Sequence, residues 1–241
     1  GIITKATLKL VSLCPFRLDA LAVFTDLGKA TALVPQLVKA GLNPTSVEFM
    51  DNNFVRSACD YSEVKLPHYE DGFYDIITIE AFNESELDEK TEKLVDICEK
   101  CGAVEVVEAD ERVWKVRRNC LESTRVFSKV ATSEDMVVPV TRISDCIRYL
   151  VEESKRYDFR IFCLAHAGDG NLHFQILKGN MSDSEWEKQT EAFRAVAYPY
   201  VYSLGGRLSG EHGIGLKRLK YMEKYTDPVE LDLMKTIKKA I

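Results

Sequence analysis

The first half of the chain alternates short apolar runs with amphipathic helical patterns. Each apolar run is rich in β-branched or aromatic residues and therefore predicts a strand. Strands are predicted at 18–24, 45–50, 74–80 and 103–107, and helices at 27–40 and 85–100. Two successive strand-helix-strand units of this kind predict an α+β fold, in which ferredoxin-like units place their helices on one face of a largely antiparallel sheet.

The second half of the chain is dominated by helical periodicity around one apolar hairpin. A helical segment begins near Trp114, and further helices are predicted at 141–156, 182–202 and 228–241. Pro35 and Pro199 both fall inside helical patterns, so each is expected to bend or end its helix.

Two apolar runs, 160–164 and 174–177, flank a stretch that contains two of the four histidines. Asp169-Gly170 between them is the dipeptide favoured in a two-residue hairpin turn. This turn would pair His166 directly with His173 on one face of the sheet, with their Cβ atoms roughly 5 Å apart. Gln175 would then lie on the same face, opposite Leu164. Two imidazoles at that separation can bind one cation.

Glu211-His212 lies about forty residues further along the chain and adds an anionic group to the two imidazoles. Two histidines and one carboxylate form a ligand set that leaves a coordination position open for a substrate. Taken alone, the hairpin is more typical of two strand histidines beside a turn than of a metal site. With Glu211 included, the pattern favours a metal site.

Composition excludes several functional classes. The 241 residues carry a formal net charge of -6 and no basic cluster, so nucleic acid is not an expected partner. No apolar run reaches the roughly 18–20 residues of a membrane span. The N-terminus also lacks a signal-peptide pattern, so an intracellular location is expected. Seven scattered cysteines are expected to be reduced thiols.

The sequence HAGDGNLH at 166–173, together with GEHGIG at 210–215, closely resembles the C-terminal domain of FAD-linked 2-hydroxy-acid dehydrogenases. This group includes glycolate oxidase FAD subunits, D-lactate dehydrogenases and D-2-hydroxyglutarate dehydrogenases of the vanillyl-alcohol-oxidase superfamily. The resemblance covers essentially the whole chain. It implies a flavoprotein that oxidises a D-2-hydroxy acid of the glycolate or D-lactate type to the 2-oxo acid.

The resemblance also implies roles for individual residues. His166, His173 and Glu211 would bind a divalent metal, usually zinc or a similar ion in this group, and His212 would be the general base. Arg117 would pair with the substrate carboxylate, although the neighbouring Arg118 is an alternative from the sequence alone. Gln175, which stands where several relatives have asparagine, would contact the substrate. Ile3 and Gly213 would lie near the FAD.

The resemblance further implies a division of the chain into three parts. Residues 1–13 would be the last strand of an FAD-binding domain, residues 14–205 the cap or substrate domain, and residues 206–241 a segment that returns toward the FAD domain. The FAD itself would be bound mainly outside this chain. Implied partners are a small 2-hydroxy acid, an iron–sulfur subunit or an electron-transfer flavoprotein, and a second copy in a homodimer. Implied locations are the cytoplasm, the mitochondrial matrix in a eukaryote, or the membrane periphery.

Two other functional classes remain open at the level of the sequence. One is a non-catalytic ferredoxin-like regulatory or assembly module, in which the histidines only flank a turn. The other is a metal-dependent hydrolase, which needs the same open metal position but for which the sequence supplies no oxyanion stabiliser.

Overall fold

A single seven-stranded antiparallel sheet organises the molecule, which the computed structural model describes over residues 3–241. The strands are β1 (Phe16–Phe24), β2 (Ser46–Met50), β3 (Phe73–Ala81), β4 (Glu105–Glu108), β5 (Ala131–Val137), β6 (Arg160–His166) and β7 (Asn171–Leu177). Their order across the sheet is β4-β1-β3-β2-β6-β7-β5, and every neighbouring pair is antiparallel. The predicted α+β class with an antiparallel sheet is therefore confirmed.

The helices fall between the strands in chain order. They are α1 (Leu27–Thr31), α2 (Leu33–Lys39), α3 (Asn52–Ser62), α4 (Glu84–Lys100), α5 (Glu111–Arg118), α6 (Cys120–Ser123), α7 (Ile143–Ser154), α8 (Asp183–Ser203), α9 (Leu219–Tyr225) and α10 (Pro228–Ala240). Within residues 3–241, no helix is both long enough and apolar enough to cross a membrane.

Both faces of the sheet are covered. Leu21 and Ala22 are consecutive residues of β1 that point to opposite faces, and both have no solvent exposure. The larger core packs under α2, α4, α7 and α8, as the sequence predicted for one face. A second, smaller core on the other face packs under α3, α5 and α6. The sequence patterns had not placed this second helical group.

Helix α3 was not predicted from the sequence, and it matters because it borders the candidate site. Asp51 caps it, since its side chain accepts a hydrogen bond from the N–H of Phe54 at 2.9 Å. The other Asp51 oxygen accepts from the N–H of Cys163 in β6 at 2.8 Å. This carboxylate thus fixes the helix against the strand that carries His166.

Prolines had different effects in the two helices where breaks were expected. The 27–40 pattern does divide, but at Ala32, and Pro35 lies in the first turn of α2, where a missing N–H costs little. Helix α8 continues through Pro199 to Ser203, so Pro199 does not end this helix. Tyr198 and Val201, on the same part of the helix, are fully buried, and tertiary packing of this kind can hold a helix together across a proline.

The strand expected within residues 1–13 does not form in the part of that segment that the structure describes. Gly1 and Ile2 lie outside the described residues, and residues 3–14 have no regular secondary structure. A strand needs a hydrogen-bonded neighbour, and this segment has none among residues 3–241. Its assignment to an FAD-binding domain stays a prediction.

Candidate metal centre

The hairpin formed by β6 and β7 carries His166 and His173 in a register that differs from the predicted one. His166 pairs with Asn171, and His173 pairs with Leu164, so the connection has four residues rather than two. Gln175 accordingly lies opposite Phe162, not Leu164. The predicted direct pairing of the histidines is wrong, because a turn closes from His166 O to the N–H of Asp169 at 3.0 Å.

The observed register still places both imidazoles on the same face of the sheet. A register shift of two residues preserves the alternation of side chains, whereas a shift of one would reverse it. The two rings therefore lie diagonally, with their centroids 5.2 Å apart and nearly perpendicular planes. Gly170 has a φ of +77°, and a Cβ there would lie 2.0 Å from the carbonyl oxygen of Val138, so only glycine fits this turn.

Glu211 brings a carboxylate to the two imidazoles. Its Oε1 lies 3.2 Å from Nε2 of His173 and 3.7 Å from Nε2 of His166. One donor atom from each of these three residues lies within 4.8 Å of the others. Two imidazole nitrogens and a carboxylate oxygen that converge in this way fit a divalent cation of the zinc type with a further position open.

His212 lies on the open side of this cluster. Its Nε2 is 3.2 Å from Oε1 of Glu211, and its ring centroid is 5.4 Å from that of His173. The side chain of His212 is 64% exposed, whereas that of His173 is 13% exposed. A small ligand can therefore reach His212 from solvent, while His173 forms part of the floor.

Asp135 holds the segment that carries Glu211 and His212. It lies opposite His173 in the pairing of β5 with β7 and is 1% exposed. Its carboxylate accepts hydrogen bonds from the Ser209 hydroxyl at 2.9 Å and from the N–H groups of Glu211 and His212 at 3.1 and 2.8 Å. Burial raises the pKa of Asp135, but these hydrogen bonds outweigh it and hold the pKa below its usual value.

Glu134, the preceding residue, fixes the same segment from the opposite face of the sheet. It is fully buried and lies 2.9 Å from Nη2 of Arg194 and 2.9 Å from Nζ of Lys217. Tyr198 donates a hydrogen bond to it at 2.5 Å. Burial raises the pKa of Glu134, yet the charges of Lys217 and Arg194 bring the pKa below its usual value. Strand β5 thus anchors residues 209–217 through both of its faces.

Glu48 supports His166 from β2. The two residues are directly paired across adjacent strands, and the Glu48 oxygens lie 2.8 and 3.0 Å from Nδ1 of His166. Nη2 of Arg117 donates to the same carboxylate at 2.6 Å. With Nδ1 donating to Glu48, the lone pair of Nε2 can point toward Glu211 and a cation.

The pKa values of His166 and His173 are shifted in opposite directions. The hydrogen bond that Nδ1 donates to Glu48 raises the pKa of His166 against the effect of burial. Burial lowers the pKa of His173, and the nearby charge of His166 lowers it further. Burial raises the pKa of Glu48, but His166 and Arg117 together bring it below its usual value. The surroundings therefore shift the pKa values of the two imidazoles in opposite directions.

The cluster opens into a cavity of about 260 Å³. Of the residues predicted to contact substrate, Arg117 and Gln175 both line it, together with His212. Arg117 is the inward-facing arginine, because its side chain is 16% exposed and that of Arg118 is 57% exposed. Gln175 accepts a hydrogen bond from the hydroxyl of Ser133 at the cavity wall. Phe54, Leu121 and Leu164 form the apolar part of the lining.

The two residues predicted to lie near FAD do not join this cluster. Ile3 is 90% exposed and is not among the residues that line the cavity. Gly213 directly follows His212 and has a φ of +79°, with open space around the position of a Cβ. Both therefore present free surface, and their relation to a flavin stays a prediction.

Three residues that support the candidate site, Glu48, Glu134 and Asp135, were missed at the sequence level, although each had a sequence signal. Glu48 is a charged residue between Val47 and Phe49 in an otherwise apolar strand, which is unusual for a central strand. Asp135 and Glu134 are consecutive carboxylates in a strand, and both are buried. Nothing in the sequence showed which loop these carboxylates hold.

The fold is shared with parts of two solved structures. A structure of p-cresol methylhydroxylase with bound substrate has a TM-score of 0.65 at 10% identity, covering 95% of this chain and 51% of that one. A 4-ethylphenol oxidase from Gulosibacter chungangensis has a TM-score of 0.66 at 11% identity, covering 94% and 51%. At such low identity these likenesses show the fold alone.

The family follows from a sequence comparison. The profile described as FAD linked oxidases, C-terminal domain, matches residues 17–241. The chain therefore belongs to this family, as the HAGDGNLH and GEHGIG motifs predicted.

Several curated relatives match the chain over its full length. They include a D-lactate dehydrogenase of Anaerostipes hadrus, 30% identical over 250 residues, and the glycolate oxidase subunit GlcD of Bacillus subtilis (strain 168), 29% identical over 246 residues. A D-2-hydroxyglutarate dehydrogenase of Stutzerimonas stutzeri (strain A1501) is 26% identical over 251 residues. These alignments cover 99–100% of this chain but 52–53% of each relative. The chain thus spans about half the length of the curated relatives it matches.

Proposed function

We propose that this chain forms the substrate-handling part of an FAD-linked oxidoreductase that converts a D-2-hydroxy acid, of the glycolate or D-lactate type, to the 2-oxo acid. The observation that carries the proposal is the convergence of His166 Nε2 and His173 Nε2 on Oε1 of Glu211 beside a small cavity. The names of the relatives, which include a D-lactate dehydrogenase and a glycolate oxidase subunit, support the reaction class.

The ligand set proposed for a divalent metal, zinc or a similar ion, is His166, His173 and Glu211. When bound, the cation would supply Lewis acidity toward the hydroxyl and carboxylate of the substrate, and the flavin would accept a hydride. Glu48 keeps the proton of His166 on Nδ1, and Asp135 keeps the backbone of Glu211 in place. The protein therefore fixes the ligands before the ion arrives, which lowers the cost of organising the site.

His212 is the proposed base. It follows the ligand Glu211 directly, its ring lies at the open side of the cluster, and its backbone is held by Asp135. Nε2 of a neutral imidazole can accept the hydroxyl proton of the substrate as the α-hydrogen leaves with its electron pair. Loss of one proton and one hydride gives the 2-oxo acid, so the atoms and electrons balance.

Arg117 and Gln175 are the proposed substrate contacts. Arg117 lines the cavity while Glu48 holds one of its Nη atoms, so its guanidinium is pre-oriented for a carboxylate. Gln175 also lines the cavity, where it is hydrogen-bonded to Ser133. An amide at this position can contact the carboxylate or hydroxyl oxygens of a bound acid.

The proposed FAD contacts lie at the two ends of the chain, where residues 1–13 and 206–241 would adjoin a flavin-binding domain through Ile3 and Gly213. Exposed apolar side chains support this placement. Ile3, Leu8, Leu10, Val11 and Leu13 are each at least 78% exposed, and α10 presents Val229, Leu233 and Ile237 with no buried residue. An iron–sulfur subunit or an electron-transfer flavoprotein is proposed to accept electrons from the flavin, and a homodimer is a further proposed assembly.

The test is anaerobic flavin reduction in the full-length flavin-loaded protein, mixed with D-lactate or glycolate. We expect reduction by the wild-type protein, loss of reduction after chelation, and a decrease of about 100-fold or more in His212→Ala. His68→Ala is the matched control, because His68 lies in a loop beside Asp71 and outside the cluster. Unchanged reduction in His212→Ala would contradict the proposed base, and a flavin that no 2-hydroxy acid reduces would contradict the function.

A further inference from the structure

A cleft of about 800 Å³ lies among α1, α2, α4 and α7. These helices cover the larger core, whereas His166 shares its face of the sheet with Leu164, which belongs to the smaller core. The cleft and the candidate metal centre are therefore on opposite faces of the sheet. The residues that line the cleft all fall within positions 26–148, outside the segments 1–13 and 206–241 that are proposed to adjoin a flavin-binding domain.

The rim of the cleft is cationic, although the chain as a whole is acidic. Each of the four helices contributes one basic side chain, and these are Lys29, Lys39, Lys100 and Arg148. Asp26 is the one acidic residue among the described residues that line the cleft, so its formal net charge is +3, against -6 for the chain. Like charges gathered around a concave surface repel one another and attract an anion.

Three of the four cations have no anionic partner in the part of the chain that the structure describes. No carboxylate there lies within 4.0 Å of the charged groups of Lys29, Lys39 or Arg148. Lys100 pairs with Asp96 one turn earlier on its own helix. The cleft thus offers three unmatched positive charges to an anion that enters it.

Two of the unmatched side chains bridge neighbouring helices. Lys29 reaches from α1 to the end of α4, where its Nζ lies 3.1 Å from the point that a Cβ of Gly102 would occupy. Arg148 reaches from α7 to α1, where its Cδ lies 3.8 Å from the corresponding point at Gly28. Packed helices therefore bring these cations to the cleft before a ligand binds, which lowers the cost of organising them around an anion.

The floor of the cleft is mainly apolar. Ile97 is buried and Ala32 and Ala40 are half-buried, whereas the four cationic side chains at the rim are exposed. Ser144, a polar residue of the lining, accepts a hydrogen bond from the hydroxyl of Thr31 at 2.9 Å, and this bond joins α7 to α1. A molecule that fills the cleft meets carbon atoms at the floor and positive charge at the rim.

We infer that this cleft binds a small organic anion with at least two negative charges and an apolar part, of the phosphate monoester class. A phosphate group can accept charge-assisted hydrogen bonds from Lys29 and Arg148 while the apolar part covers Ile97. A concave, largely apolar site with a few polar groups is the usual form of a small-molecule site. The inference does not depend on the proposed function, because the cleft and the metal-centre cavity share no lining residue.

The experiment is calorimetric titration of the full-length flavin-loaded protein with hexyl phosphate. We expect saturable binding at one site with a Kd below about 1 mM. Inorganic phosphate should bind at least about tenfold more weakly, because it covers none of the apolar floor. 1-Hexanol, which carries no charge, should also bind at least about tenfold more weakly. Added sodium chloride should weaken the binding of hexyl phosphate, because the cations are exposed.

A double variant tests the assignment of residues. Lys29→Ala combined with Arg148→Ala removes two exposed cations of the rim, and we expect it to weaken the binding of hexyl phosphate by about tenfold. Arg56→Ala combined with Lys129→Ala is the matched control, because it removes one arginine and one lysine at exposed positions outside the cleft. Thermal unfolding of both double variants checks that they fold like the wild type.

The outcomes separate the parts of the inference. Equal affinity for hexyl phosphate in the two double variants would overturn the assignment of the cations, and equal affinity for hexyl phosphate and inorganic phosphate would overturn the apolar part. Tighter binding of the acidic peptide tetraglutamate than of hexyl phosphate would indicate a protein segment as the occupant and overturn the small-molecule class. Absence of hexyl phosphate binding would overturn the whole inference and leave the proposed function intact, because flavin reduction is measured separately.

Discussion

Glu48 and His166 face each other across two adjacent antiparallel strands, and the Glu48 carboxylate lies 2.8 Å from Nδ1 of the imidazole. The hydrogen bond orients the ring and keeps its proton on the nitrogen that faces away from Glu211. Glu48 thereby links Arg117, at the substrate side of the cavity, to one of the proposed metal ligands.

Removal of this carboxylate should weaken metal binding without removing a ligand. We expect Glu48→Ala to lower the affinity for a divalent cation by about 10–100-fold, and Glu48→Gln to retain more of it because an amide oxygen still accepts from Nδ1. Metal titration of the apo-protein measures the change. Glu108→Ala, an exposed carboxylate of the edge strand β4, is the control. Equal affinities in Glu48→Ala and Glu108→Ala would show that Glu48 does not position His166.

Asp135 should control the order of the segment that carries Glu211 and His212. Asp135→Ala leaves the N–H groups of both residues without their acceptor, which costs about 1–3 kcal/mol of local stability. Hydrogen exchange at these amides should become faster, and metal affinity should fall. Asp60→Ala, at an exposed position of α3, should leave both unchanged. Slow exchange at residues 211 and 212 in Asp135→Ala would contradict this role.

Arg117 should act on substrate binding more than on the chemical step. In Arg117→Ala, loss of a charge-assisted hydrogen bond predicts a rise in KM of about 10–100-fold with a smaller change in kcat. Arg118→Ala is a close control, because Arg118 is the next residue but pairs with exposed Glu111. Steady-state kinetics of the full-length protein distinguishes the two variants. Similar KM values in Arg117→Ala and Arg118→Ala would show that Arg117 does not bind the substrate.

Glu134 makes stability depend on pH in a definite direction. Its pKa in the folded chain is lower than its usual 4.5, so its contribution is fully present above about pH 4.5 and is lost as the pH falls through the lowered value. Glu134→Gln breaks a buried ion cluster and should cost about 3–5 kcal/mol at pH 7. Denaturant unfolding from pH 7 to pH 3 should show this difference shrinking below pH 4.5.

The control for Glu134 is an exposed ion pair of similar composition. Glu152 pairs with Lys155 at the surface, so Glu152→Gln should change stability little at any pH in the range. A cost for Glu134→Gln that stays constant down to pH 3 would contradict the ionised state of Glu134 in the folded chain.

The sequence predicted the shared face of His166 and His173 but not their pairing. The face of the sheet to which a side chain points depends on the alternation along the strand, and a register shift of two residues preserves this alternation. Register depends on the turn, and this turn is set by contacts from elsewhere, since the carbonyl of Gly170 accepts a hydrogen bond from Val138 at 3.0 Å. The turn preference of Asp169-Gly170 cannot take account of this contact, because Val138 is distant from the dipeptide in the sequence and close to it only in the folded chain.

The residues that support the site could not be predicted from a local sequence pattern, for the same reason. Asp135 and Glu211 are 76 positions apart, and Glu48 and His166 are 118 positions apart. Only the sheet order, which places β2 beside β6 and β5 beside β7, brings these groups together. Helix α3 did have a local signal, because Asp51 precedes apolar residues spaced for one helical face at 54, 55, 58 and 59.

The central claim is that His166, His173 and Glu211 together bind one divalent metal ion, and cobalt(II) titration of the metal-free protein tests it most directly. We predict one equivalent bound, with visible absorption typical of nitrogen and oxygen ligands. His166→Ala, His173→Ala and Glu211→Ala should each weaken binding by more than the roughly 10–100-fold expected when a supporting residue is lost. His68→Ala should bind like the wild type. Stoichiometry and affinity that stay unchanged in the three ligand variants would contradict the claim.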